Sequence, residues 1–217
     1  MKIIKKATQK EAQQIKTLFL EKYPKAVTEL NYSSLYELLV CVMLSAQCTD
    51  KRVNLITPKL FEHYPTVQAL SLASLETIKN DISSCSFFNN KAENLIKMAQ
   101  AVVANFNGEI PLDEKKLMSL AGVGQKTAHV VLIEYAQANL MAVDTHVFRV
   151  AHRLGLSSAK TAIKTEEELT KLFKTDLHEL HQAMVLFGRY HCKAINPLCE
   201  SCFLTHLCKT KQSFKAT

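Results

Sequence analysis

Apolar residues recur at three- and four-residue intervals along nearly the whole chain, and no segment sustains period-two alternation. That pattern predicts an all-α fold of about ten short helices. The strongest stripe is Ala92, Leu95, Ile96, Ala99, Val102, Val103 and Phe106, with Gly108 placed to terminate the helix. Thr8 and Glu11 form a capping-box pair ahead of Ala12, Ile15, Leu18 and Phe19, and Pro24 should stop that helix. Ser34 and Glu37 repeat the box before Leu35, Leu38, Leu39, Val42, Met43 and Ala46. Asp50 is expected to cap a third helix, which Pro58 should kink or end. Further helices are predicted at 113–121, 125–137, 145–154, 165–174 and 176–188. No linker, repeat or composition shift marks a domain boundary.

The 217 residues, 47% apolar and 22% charged with only 5 Gly and 5 Pro, exclude a disordered or fibrous chain. The longest apolar run, Leu38 to Ala46, falls well short of the roughly 20 residues of a membrane span. The first thirty residues mix Lys2, Lys5, Lys6, Lys10 and Lys16 with polar side chains and lack a secretory apolar segment. The expectation is an intracellular protein with no membrane partner. A formal net charge of +7 makes a polyanion, nucleic acid first, the partner to test.

Leu120-Ala121-Gly122-Val123-Gly124-Gln125-Lys126 reads as a glycine turn joining two helices. Such a turn can aim backbone N–H groups outward at the positive end of the second helix, a seat for a phosphate; alone, it reads first as a plain interhelical turn with Val123 packed inward. Lys126 stands in the first turn of that helix, where the dipole disfavours an ammonium and partial burial would act alike, so it is a candidate amine nucleophile as well as a surface lysine. Asp144, before Thr145-His146-Val147-Phe148, suits a helix N-cap or a carboxylate that stabilises positive charge. Of seven cysteines, Cys192, Cys199, Cys202 and Cys208 follow C-x6-C-x2-C-x5-C. Inside a cell that spacing suggests metal ligation over disulfides, with zinc and an iron–sulfur cubane both compatible. Cys41, Cys48 and Cys85 read as core, with Cys41 and Cys48 placed to share a helical face.

Leu-Ala-Gly-Val-Gly-Gln-Lys-Thr-Ala, Val143-Asp144-Thr145-His146-Val147-Phe148-Arg149, Leu44-Ser45-Ala46-Gln47-Cys48-Thr49-Asp50, Asn89-Asn90-Lys91-Ala92-Glu93-Asn94, Gly188-Arg189-Tyr190 and the terminal cysteines together resemble the endonuclease III family, in order and over nearly the whole chain. The resemblance implies a two-lobed helix-hairpin-helix glycosylase fold. A six-helix lobe would span 28–138, and 1–27 would join 139–217 in a cluster lobe, with the active site in the cleft between them. It implies a bifunctional DNA glycosylase and AP lyase of base excision repair that removes oxidised pyrimidines from double-stranded DNA and cleaves the abasic strand by β-elimination. Lys126 would be the covalent nucleophile, Asp144 its carboxylate partner, and the four cysteines ligands of a 4Fe-4S cluster. Gln47 would enter the gap left by the flipped base, Phe87 would wedge between bases, and Gly122, Val123, Gly124 and Lys193 would meet the DNA backbone. A monomer is expected, cytoplasmic and held at the nucleoid through DNA.

Ala121, Gln125 and His129 stand where relatives often carry proline, arginine and asparagine, and Phe87 where they often carry leucine. Neutral Gln125 should weaken phosphate attraction slightly, and His129 either packs on its helix or alters local protonation. Phe88 is the other candidate wedge. Two competing classes are an adenine-specific mismatch glycosylase, which usually lacks the hairpin lysine and adds a C-terminal domain, and a non-catalytic DNA-binding module. Retention of Lys126 argues against the first, and retention of both Lys126 and Asp144 against the second.

Overall fold

A computed structural model describes residues 6–210. Among these residues there are eleven helices and no strand, so the all-α class holds: α1 (Gln9–Lys22), α2 (Leu35–Ser45), α3 (Asp50–His63), α4 (Val67–Ser71), α5 (Leu75–Asp81), α6 (Phe88–Asn105), α7 (Glu114–Met118), α8 (Gln125–Ala136), α9 (Thr145–Arg153), α10 (Ala162–Phe173) and α11 (Leu177–Tyr190). The helices fall into two compact units, Glu29–Ala136 and the remainder, Met1–Thr28 with Gln137–Thr217.

In the unit Glu29–Ala136, α2 is the central element. Every residue from Leu38 to Leu44 is buried, which a helix tolerates only when neighbours cover it all round. Helices α3, α6 and α8 supply that cover. The Ser34 hydroxyl accepts from Glu37 N as expected, but the Glu37 carboxylate takes Ser33 N rather than Ser34 N, so the box closes one residue early. Helix α3 is capped by Thr49, not Asp50: Thr49 Oγ1 accepts from Arg52 N. Nor does Pro58 end it. The helix runs on to His63 because Val53 and Leu60 are fully buried on either side of the proline, and Lys59 and His63 both grip the buried Asp81 carboxylate at 3.0 and 2.8 Å. Those contacts outweigh the roughly 3 kcal/mol that an interior proline costs. Cys41 and Cys85 are buried as read from the sequence. Cys48 is only half-buried and lies past the end of α2 rather than on its face.

In the other unit, α1 opens with the full Thr8–Glu11 box and stops one residue before Pro24, capped at Tyr23. The Glu11 carboxylate also takes Lys209 Nζ at 2.6 Å, and that bond with the Thr8 amide holds its pKa down at about 2. Phe19 of α1, Phe187 of α11 and Phe203 meet edge to face with centroids 5.3 to 5.8 Å apart. This cluster joins the first helix to the cysteine segment. Helices α9 and α11 pack where Gly188 faces His146, and a Cβ on Gly188 would lie 2.8 Å from His146 Cβ.

The turn between α7 and α8 closes with Val123 N donating to Leu120 O at 3.1 Å. Gly122 sits at φ +76, and a Cβ there would stand 2.9 Å from Asn94 Cβ of α6 and 3.1 Å from Met43 Cε of α2. Gly124 has open space around the same position and an ordinary φ. Gly122→Ala should therefore cost about 1–3 kcal/mol in denaturant unfolding, whereas Gly124→Ala should leave stability unchanged or slightly raised. Equal losses at both positions would contradict this turn.

Candidate functional site

The hairpin presents its chemistry at the start of α8. Leu120, Val123, Ala128 and Val131 are buried and seat the turn, while Gly124 and Lys126 are exposed. Gly124 O accepts from Ala128 N at 3.0 Å, which makes Gly124 the entry to the helix. The first-turn amides of α8 therefore point forward past a residue with no side chain, and a phosphate can approach them closely. Val123 is buried and its amide donates to Leu120 O, so it shapes the turn. Lys126 is solvent-exposed in the first turn of α8, so the partial burial expected for it is absent. His129 is buried and faces Glu114 Oε1 at 3.0 Å, tying α8 to α7.

Gln47 and Phe87, forty positions apart, flank one junction of α2 and α6. Both are exposed and both sit in the left-handed region, at φ +54 and +58. Phe87 is 64% exposed and Phe88 half-buried, so Phe87 is the ring free to enter a base stack. Behind them, Cys48 Sγ lies 3.6 Å from Cys85 Sγ, and the buried Lys91 Nζ donates to Leu44 O at 2.8 Å and Ala46 O at 2.7 Å. Burial and the Cys48 hydrogen bond push the Cys85 thiol up to about 12.

In the second unit Asp144 is the N-cap of α9: Oδ1 accepts from Val147 N at 2.7 Å, which leaves the other carboxylate oxygen outside the cap. The local and the chemical readings of Asp144 are thus compatible. One turn and two turns into α9 stand Arg149 and Arg153. Arg149 donates to Cys192 O at 3.0 Å and Gly188 O at 2.7 Å. Arg153 donates to Cys192 Sγ at 3.3 Å, Lys193 O at 2.6 Å and Ala194 O at 3.2 Å. Lys193 itself is exposed, as a phosphate contact requires. Neither arginine was singled out from the sequence, although their i, i+4 spacing on one helix face was visible.

Cys192, Cys199, Cys202 and Cys208 line one cavity with Arg153, about 400 Å³ including the part open to solvent. Among the described residues no three His, Cys, Asp or Glu side chains close on a single ion. Four thiols facing one cavity, all thiolate donors, are a ligand set that fits an iron–sulfur cluster. Burial raises the pKa of Cys199 and Cys202, and neighbouring thiolates raise them further. A cationic centre is what would offset that for Cys199 and Cys202.

A family model described as an HhH-GPD superfamily base excision DNA repair protein matches residues 40–175, and one for the iron-sulfur binding domain of endonuclease III matches 192–208. Endonuclease III of Haemophilus influenzae is 43% identical over 203 residues, covering 92% of this chain and 95% of its own, and that of Escherichia coli K12 is 41% identical with the same coverage. The solved structure of a trapped endonuclease III–DNA covalent intermediate, an estranged-adenine complex, superposes with a TM-score of 0.92 at 40% identity, covering 95% of this chain and 98% of that one. A thermostable thymine-DNA glycosylase shares the fold at a TM-score of 0.85 and 22% identity. The glycine hairpin, the cysteine array and these likenesses converge: the chain belongs to the endonuclease III family of the HhH-GPD superfamily.

Proposed function

We propose that this chain is a bifunctional DNA glycosylase and AP lyase of base excision repair that excises oxidised pyrimidines from double-stranded DNA. The observation that carries the reading is an exposed lysine in the first turn of α8, two residues beyond an unobstructed glycine at the helix entry. The 40%-identical relative trapped as a covalent DNA intermediate supports it.

The helix entry binds a backbone phosphate and so brings a deoxyribose to Lys126. Once the damaged base is out of the stack, with Gln47 and Phe87 filling the space it leaves, the unprotonated Lys126 Nζ attacks C1′. The C1′–N bond breaks and the base departs with its electron pair, taking a proton. Ring opening yields a Schiff base between Lys126 and C1′. The proton on C2′ is then lost and the 3′ phosphate leaves, which is β-elimination. The Asp144 carboxylate stabilises the positive charge that builds on the sugar as the glycosidic bond breaks. Gly122 and Val123 keep the turn in shape, Gly124 and Lys193 meet phosphates, and the unit Glu29–Ala136 is the hairpin lobe while the other is the cluster lobe. Cys192, Cys199, Cys202 and Cys208 hold a 4Fe-4S cluster, which when bound crosslinks the segment through iron–thiolate bonds. Arg149 and Arg153 fix the backbone of that loop. We place the enzyme in the cytoplasm, acting as a monomer on abasic and damaged sites; among the described residues no helix is long and apolar enough to cross a membrane.

The deciding experiment offers the enzyme a thymine glycol duplex, an abasic duplex and an adenine mismatch. Release of thymine glycol with strand cleavage is expected. Adenine release without cleavage would assign a mismatch glycosylase, and binding without turnover a recognition module. Lys126→Gln should slow cleavage of an abasic strand roughly a thousandfold or more while duplex affinity stays within about tenfold. Asp144→Asn should lower turnover roughly a hundredfold or more. Wild-type cleavage by Lys126→Gln would overturn the assignment. Freshly purified protein should be yellow-brown with about four irons per chain, and zinc without iron would refute the cluster.

A further inference from the structure

Lys91 is 9% exposed, and among the described residues no carboxylate lies within ion-pair distance of its ammonium. The contrast with the buried Lys16 is direct, since that lysine meets Asp176 at 2.6 Å. Burying a charge without a counter-ion costs several kcal/mol, and a methionine of similar length would fill the same space more cheaply. What Lys91 has instead is the C-terminal end of another helix. Its Nζ reaches from α6 to Leu44 O and Ala46 O, two carbonyls at the end of α2 that the helix cannot satisfy itself. Helix α2 carries no basic residue in its last turn, so Lys91 is the cation that answers the negative end of its dipole.

The place of this contact in the chain gives it a consequence. The residue after Ala46 is Gln47 at φ +54, a conformation that costs an L-residue about 1–2 kcal/mol and persists only if its surroundings impose it. Lys91 N makes the ordinary first-turn helix bond to the carbonyl of Phe87, so the side chain that reaches α2 springs from a backbone tied to Phe87, which is itself left-handed and caps α6 without a side-chain hydrogen bond. One residue thus touches the backbone on both sides of the junction that carries Gln47 and Phe87. The turn glycine Gly122 abuts Met43 of α2 and Asn94 of α6, so the hairpin rests on the same two helices.

We propose that Lys91 is a positioning residue for the DNA reaction: by clamping the end of α2 to α6 it holds Gln47 and Phe87 in one fixed relation, so that both enter the base stack together. This rests on the reading that Gln47 meets the orphaned base and Phe87 the stack. The clamp acts before the chemistry at Lys126, and its loss should weaken productive binding more than the step that follows.

The test uses the holoenzyme and a duplex bearing an abasic site opposite 2-aminopurine, whose fluorescence reports whether a side chain reaches the orphaned base. Three quantities are measured for wild type, Lys91→Met, Gln47→Ala and the double variant: duplex affinity, the fluorescence change on binding, and the single-turnover cleavage rate at saturating enzyme. Lys91→Met should weaken binding about tenfold, bring the fluorescence change down to that of Gln47→Ala, and leave the saturated cleavage rate within about threefold. In the double variant the two losses should not add, because one acts through the other. If Lys91→Met is not recovered folded, Lys91→Gln, which keeps a polar head, takes its place and is read the same way. A variant with lowered thermal stability but wild-type affinity and fluorescence would overturn the inference and leave Lys91 a purely structural group, as would fully additive losses. The reading of Gln47 fails separately: if Gln47→Ala alone keeps the fluorescence change, Gln47 does not meet the orphaned base and the inference falls with it.

Discussion

A backbone amide can hold a phosphate only where nothing stands in front of it, and the hairpin meets that condition through two glycines with different duties. Gly122 is required by what lies behind it: a left-handed backbone pressed against Asn94 and Met43. Gly124 is not required by packing, since its surroundings leave room for a side chain; on the proposed reading it keeps the helix entry clear for a phosphate. The turn therefore fixes the direction in which α8 starts, and with it the point where Lys126 leaves the backbone. Buried Val123 and Leu120 hold that direction from inside.

Several of the functional segments are held by long cationic side chains reaching loop backbone, not by regular packing. Arg149 and Arg153 gather the carbonyls at residues 188 and 192–194. Lys91 does the same at the end of α2, and Lys16 at the Thr175 carbonyl ahead of α11. In each case a segment without secondary structure, or a helix end whose carbonyls lack intrahelical partners, receives donors from a helix some distance away in sequence. A basic composition thus serves more than the attraction of a polyanion. Part of the +7 charge is directed inward, to fix loop backbone and helix ends.

Much of this was legible in the sequence because it is local. The stripe from Ala92 to Phe106, the Thr8–Glu11 box and the glycine turn each declare themselves within a few residues, and the corresponding structures form where expected. Lys126, Asp144 and the four cysteines were legible as motifs, with chemistry supplied by likeness to a family. Non-local features were not legible. Helices α4 and α5, of five and seven residues, are too short to display a period. Pro58 does not end α3, and the Asp81 contacts on Lys59 and His63 beyond it come from outside any local window. Cys48 left its expected helix because α2 ends at Ser45, where Lys91 takes up the carbonyls. The partners of Lys91 lie 45 and 47 residues away, and Arg153 reaches 39 or more, so no spacing rule could point to either.

The central claim is that one nitrogen, Nζ of Lys126, becomes bonded to the sugar of the damaged nucleotide. Borohydride reduction of the holoenzyme on an abasic duplex, followed by peptide mass spectrometry of the crosslinked species, tests it most directly. The account predicts a stable adduct carried on the peptide that contains Lys126. An adduct on a different side chain, or strand cleavage with no trappable species, would contradict it.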